Sequence, residues 1–145
     1  MKLSRIAYPA NLSPQPDGSL LVRFPDFPEA LTDGDDRADA LAEAADALSE
    51  AIAQGMIAGE DIPAPSAKRG RPLVAPDAII AAKAALYNEQ RAADLSGRAL
   101  ARRLGVGETE MRRILDPHHA TKIDTIANAL SSFGKRIEIN ILDVV

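Results

Sequence analysis

The sequence contains no cysteine, and aromatic side chains make up only 3% of its 145 residues. The missing thiols exclude disulfides, thiolate metal sites and a cysteine nucleophile, and they fit a reducing cytoplasm. With so few aromatics, any core must be built from Leu, Ile, Val and Ala. No stretch approaches the ~18 consecutive apolar residues that a membrane-spanning helix needs, and Met1 to Arg5 lack the apolar run of a signal peptide. The chain therefore reads as soluble and cytoplasmic. Hydrophobic residues at 46% and charged residues at 26% are the proportions of a folded protein, and the length allows one ordinary domain or two small ones.

The net charge of −4 divides unevenly. Residues 1–65 carry four bases against twelve acids, net −8, and residues 66–145 carry thirteen bases against nine acids, net +4. An acidic half suits a basic partner, and a basic half suits phosphate. The same asymmetry also fits two solvated faces of one monomer.

The first half reads as sheet followed by helix. Ile6, Tyr8, Ala10 and Leu12 alternate, Pro14-Gln15-Pro16-Asp17-Gly18 signals a turn, and Leu20, Val22 and Phe24 resume the alternation, which makes a hairpin. Pro25-Asp26-Phe27-Pro28 interrupts the ladder, and a short third strand over 29–32 follows. Asp36 is placed to cap a helix, with Asp39 in its first turn and Leu41, Ala45, Leu48 and Ile52 forming one apolar stripe that Gly55 closes. Pro63 to Pro72 is rich in proline, small residues and charge, as a linker is, although Leu73-Val74 also suits a short strand returning to the first sheet.

From Pro76 onward the pattern is helical. Ile79, Ile80, Leu86 and Tyr87 give a first helix its buried side, two short helices follow over 97–104 and 108–115, and Asp116-Pro117 stops the second of these. Thr121 and Asp124 resemble a capping box for a last helix through Phe133, closed by Gly134. Ile137, Ile139 and Ile141 then alternate with polar neighbours as a final strand.

The stretch Leu95 to Leu115 carries the functional signal. A helix-turn-helix needs a small residue where its helices touch, a permissive residue in the turn and an apolar plug after it. Ala101, Gly105 and Val106 stand at those positions. Met111, Ile114 and Leu115 take the inner side of the second helix, leaving Glu108, Thr109, Arg112 and Arg113 outward, where a recognition helix meets base edges. Arg112 suits base readout, and Arg102, Arg103 and Lys122 suit phosphate. An αα-hairpin with solvated arginines is the plainer alternative. No partner strand precedes this region, so Ile137, Ile139 and Ile141 would pair with a second copy across a two-fold axis, or return to the first sheet.

Other clusters are less specific. Asp26, Glu29, Asp33, Asp35 and Asp36 lie on a loop and a helix entry, not in a cation-loop pattern, so no metal and no cofactor are expected. His118 and His119 suit phosphate contact or local hydrogen bonding. Lys68-Arg69-Gly70-Arg71 suits DNA backbone or simply solvent.

Tyr8-Pro9-Ala10, Phe24-Pro25-Asp26-Phe27-Pro28-Glu29-Ala30 and Thr32-Asp33-Gly34-Asp35 closely resemble the start of HicB-family antitoxins. The second half resembles the helix-turn-helix subclass of that family. It does so through Ala82-Lys83, Leu100-Ala101-Arg102-Arg103-Leu104-Gly105 and His118-His119-Ala120-Thr121-Lys122-Ile123-Asp124. The resemblance implies a partial ribonuclease-H-like first domain without catalytic activity. It also implies a HicA-type, mRNA-cleaving toxin as partner, and operator DNA bound by the second domain to repress the operon. The toxin contacts it implies are Phe24, Asp26, Phe27, Glu29, Asp33 and Asp35.

The expectation is thus an α+β protein in parts: residues 1–65 as the toxin-binding β-β-β-α(-β) domain, 66–75 as linker, and 76–145 as an all-helical DNA-binding and dimerisation domain ending in a strand. It would work as an antitoxin and repressor, a homodimer or tetramer away from membranes, and not as an enzyme. An active ribonuclease-H-like nuclease and a repressor responsive to a small molecule are the competing readings.

Overall fold

The computed structural model describes residues 4–143. Four strands come first: β1 (Tyr8–Pro9), β2 (Asn11–Pro14), β3 (Leu20–Phe24) and β4 (Phe27–Gly34). Helix α1 (Arg37–Ile57) and strand β5 (Leu73–Val74) follow, then helices α2 (Ala78–Ala92), α3 (Gly97–Leu104), α4 (Glu108–Leu115) and α5 (Ile123–Ser131). The fold is mixed α+β, as expected. Among the described residues no helix is long and apolar enough to cross a membrane. Two compact units divide the chain: residues up to Gln54 with Pro63–Ala78, and Gly55–Ile62 with the residues from Ile79 onward.

In the first unit, β2, β3 and β4 form an antiparallel sheet in sequence order. The turn before β3 closes through the Gln15 N–H on the Ser19 carbonyl at 2.8 Å. Pro25 and Asp26 do not end the ladder. They form the turn of a second hairpin in which Phe24 faces Phe27, so β4 is longer at both ends than the expected 29–32. Proline fits there because a turn position presets its φ and needs no N–H.

Asp36 caps α1 as expected, its carboxylate accepting the Asp39 N–H at 2.9 Å, while the Asp39 carboxylate accepts the Asp35 N–H at 2.9 Å. The buried stripe of α1 is Ala40, Ala44, Leu48, Ala51 and Ile52. It is turned from the expected one at its start, where Leu41 and Ala45 are only half-buried. At that start β4 comes close to the helix: a Cβ on Gly34 would lie 2.3 Å from the Ala40 nitrogen, so only glycine fits at position 34.

Residues 63–78 are held to the first unit rather than left as a tether. β5 pairs antiparallel with β1, Tyr8 opposite Val74 and Pro9 opposite Leu73. The Ala10 N–H donates to the Pro72 carbonyl at 3.0 Å, the Tyr8 hydroxyl to the Pro63 carbonyl at 2.6 Å, and the Asp77 N–H to the Ser49 hydroxyl at 2.8 Å. Proline-rich composition describes such a strap as well as it describes a linker, because both are extended.

In the second unit, α1 runs past Gly55. Its end is closed by Gly59 at φ +71°, with the Glu60 N–H on the Gly55 carbonyl at 2.9 Å. Helices α2 to α5 enclose one core of Ala82, Leu86, Leu100, Ala101, Met111, Ile114, Ile126, Ala129 and Leu130. Lys122, not Thr121, stands before α5, and no side chain caps it. Gly134 closes that helix at φ +71°, the Lys135 N–H returning to the Leu130 carbonyl at 3.1 Å.

The expected final strand is not formed within the described residues: 135–143 carry no regular structure, and the segment's last two residues lie outside them. Ile137 packs on the helical core, whereas Ile139, Ile141 and Leu142 are 71%, 91% and 79% exposed. The strands β1 to β5 all belong to the first unit, so among the described residues an extended segment here finds no ladder in its own unit.

Candidate nucleic-acid interface

Helix α3 begins at Ser96, whose hydroxyl accepts the Ala99 N–H at 3.0 Å. It ends at Gly105, at φ +69° and ψ +31°, whose N–H turns back to the Ala101 and Arg102 carbonyls. The left-handed conformation costs glycine little and other residues more. Val106 then donates to the Ala101 carbonyl at 3.0 Å, and extended Gly107 leads into α4. Ala101 is 3% exposed, Met111 1% and Ile114 3%, so the inner sides of both helices are committed to the core. What remains outward is polar.

The expected contact residues are all exposed: Glu108, Thr109, Arg112 and Arg113 on α4, Arg102 and Arg103 on the last turn of α3, and Lys122 beyond α4. They are not equally free. Arg103 lies over the Phe133 ring, 4.8 Å from its centroid. Arg112 donates to the Thr109 hydroxyl at 3.2 Å. Glu108 pairs with the Arg98 guanidinium at 2.8 Å, both largely exposed, so the pair is weak and its members can exchange partners. Arg102, Arg103, Arg112 and Arg113 lie in the last turns of their helices, where cations oppose the C-terminal dipole.

Two residues of this region have no role assigned from the sequence. Arg98 carried no signal beyond its charge. Lys83 did carry one: a lysine four residues after Ile79 and three before Leu86 stands at a core position of α2. It is 1% exposed, and its ammonium donates to the carbonyls of Arg113, Asp116 and His119. His119 contacts the Thr121 hydroxyl through Nδ1 at 3.3 Å, which is local hydrogen bonding.

The acidic set in the first unit is thinned by the fold. Phe24 and Phe27, expected as toxin contacts, are 2% and 4% exposed. Phe27 meets Tyr8 edge-on with centroids 4.8 Å apart, and both phenylalanines belong to the core of the first unit. Asp26 is engaged by Ser66, whose N–H reaches Oδ2 at 3.0 Å and whose hydroxyl donates to Oδ1. Glu29 and Asp33 are exposed on β4, spaced with Leu31 on one face while Ala30 is buried on the other, and Asp35 is exposed beyond the strand. Burial, and secondarily the Asp26 charge, pushes the Tyr8 hydroxyl up to about 12. Among the described residues no group of three or more His, Asp or Glu side chains gathers as a metal site.

A family model described as a HicB-like antitoxin of bacterial toxin-antitoxin systems matches residues 7–85. Antitoxin HicB 2 of Photorhabdus laumondii is 48% identical over 118 residues, which cover 81% of this chain and 84% of that one. Antitoxin HicB 1 of the same organism is 37% identical over 139 residues, covering 96% and 89%. Antitoxin HicB of Escherichia coli K12 is 38% identical over 138 residues, covering 91% and 96%.

Proposed function

The chain belongs to the HicB-like antitoxin family of bacterial toxin-antitoxin systems, and from that membership we propose that it neutralises a HicA-type, mRNA-cleaving toxin and represses its own operon. The acidic first unit binds the toxin through Asp26, Glu29, Asp33 and Asp35. An RNA-cleaving protein is basic, and complementary charge speeds encounter and excludes wrong partners. The protein acts by binding, without catalysis or cofactor, in the cytoplasm.

The second unit binds operator DNA, α3 and α4 acting as a helix-turn-helix with α4 in the major groove. The observation that carries this half is the pairing itself: a left-handed glycine turn between two short helices whose outer side presents Arg102, Arg103, Arg112 and Arg113. A second copy joins through the C-terminal segment, where Ile139 and Ile141 stand in solvent. That places two recognition helices for half-sites about one helical turn apart, ~34–36 Å.

Co-expression with the adjacent small open reading frame tests both halves. A stable complex with restored growth, and a gel shift of the DNA upstream of the gene, are expected. A chain that leaves growth arrested overturns the antitoxin half. One that binds upstream and scrambled DNA alike overturns the operator half.

A further inference from the structure

A buried ammonium is costly unless its three N–H groups find acceptors. Lys83 meets that requirement with backbone alone: Nζ donates to Arg113 O at 3.1 Å, Asp116 O at 2.6 Å and His119 O at 2.8 Å. All three carbonyls belong to the end of α4 or to the turn after it.

That helix end needs the help. A helix commonly closes with a left-handed residue whose N–H groups return to the last carbonyls. Asp116 is instead extended, at φ −78° and ψ 113°, and Pro117 after it has no N–H to offer. Closure rests on the Asp116 N–H, at 2.9 Å from Arg112 O and 3.3 Å from Arg113 O. The Lys83 charge sits where the helix dipole is most negative. By holding His119 as well, it ties the far side of the turn to the helix, and the His119 N–H returns to Asp116 O at 3.1 Å. One cation from α2 thus anchors both α4 and the loop that carries His118, His119, Thr121 and Lys122.

We propose that Lys83 is a positioning residue for DNA recognition, fixing α4 and the loop after it so that Arg112 meets a base while Lys122 meets a phosphate. The inference rests on the operator-binding reading above. Lys83 itself touches no DNA. Its three-point clasp sets the spacing between the group that specifies and the group that positions. An arginine keeps the charge, but its planar fork does not match three converging carbonyls.

The test measures the full-length protein, as wild type, Lys83→Met and Lys83→Arg, on a duplex of its own upstream DNA and on a scrambled duplex of equal length. The readout is the ratio of the two affinities, because partial unfolding lowers both and leaves the ratio unchanged. In folded variants the ratio falls about tenfold or more, the loss expected when one base contact is misplaced. Scrambled-duplex binding falls less, by no more than the loss of the Lys122 phosphate contact in Lys122→Ala. Should Lys83→Met not fold, Lys83→Arg decides. A wild-type preference kept by the folded variants overturns the positioning role alone. A wild type with no preference overturns the operator reading, and this proposal with it.

Discussion

The Asp116 carbonyl accepts the Lys83 ammonium at 2.6 Å, and the carboxylate of the same residue acts on that cation in the opposite sense to burial. Burial pulls the Lys83 amine below the ordinary lysine range, and the Asp116 charge pushes it back up. Between the lowered folded value and the ordinary unfolded one, the unfolded chain binds the extra proton. Stability from this group therefore rises with pH across that window.

Gly34→Ala and Gly105→Ala separate crowding from backbone strain. A Cβ at Gly105 meets nothing within 4 Å, so the cost is that of the left-handed conformation, ~1–2 kcal/mol. A Cβ at Gly34 strikes Ala40 backbone, and the first unit should lose on the order of 3 kcal/mol or more. Denaturant titration of each variant reads both, and equal losses would contradict the assignment.

Arg112→Ala should cost ~1–3 kcal/mol on the upstream duplex and relax preference at one base position. Lys122→Ala should weaken every duplex alike and reduce the salt slope by about 1. Binding isotherms at several salt concentrations distinguish them. Unchanged upstream affinity in Arg112→Ala rules it out as a base-reading residue.

Tyr8 titrates at about 12 in the fold against an ordinary 10.0. A folded value raised above the unfolded one contributes stability that is complete below pH ~10 and is lost as pH rises through the folded value. Thermal unfolding followed between those limits should show melting temperature falling with pH. Tyr8→Phe should flatten that fall, at a cost of ~1 kcal/mol for the hydroxyl's bond to Pro63.

Truncation tests the strap. A fragment ending at residue 66 lacks β5, the ladder partner of β1, and should fold poorly. A fragment through residue 78 keeps it and should bind the toxin without binding DNA. Trypsin should still cut at Lys68 to Arg71, since that tip is mostly exposed, but the two pieces should stay associated until denatured. A fully competent 1–66 fragment would show β5 to be dispensable.

Ile139→Asp should abolish a dimer in sedimentation while leaving the monomer's stability within ~0.5 kcal/mol, because the side chain is 71% exposed. Ile137→Ala should instead destabilise the helical unit, since that residue packs on its core. An Ile139→Asp variant that stays dimeric and binds palindromic DNA normally places dimerisation elsewhere.

Local signals were sufficient wherever the decisive partners lie within a few residues. The limits of α3 and α4, the Gly105 turn, the Asp36 cap and the inward set of Ala101, Met111 and Ile114 were all legible, because caps, left-handed glycines and helical period act over one or two turns. Tertiary structure decided the rest. Packing in the first unit set which face of α1 is buried, and β1 took as its partner the short strand that Leu73-Val74 also suits, which makes the proline-rich segment a strap. Packing drew Phe24 and Phe27 inward from a string that reads as a docking loop. It also turned Lys83 from a charge on a helix into the anchor of another helix's end. Each of these depends on partners outside the segment itself, such as Tyr8 for Phe27, Val74 for Tyr8 and Arg113 for Lys83, which the periodicity of a single segment does not encode.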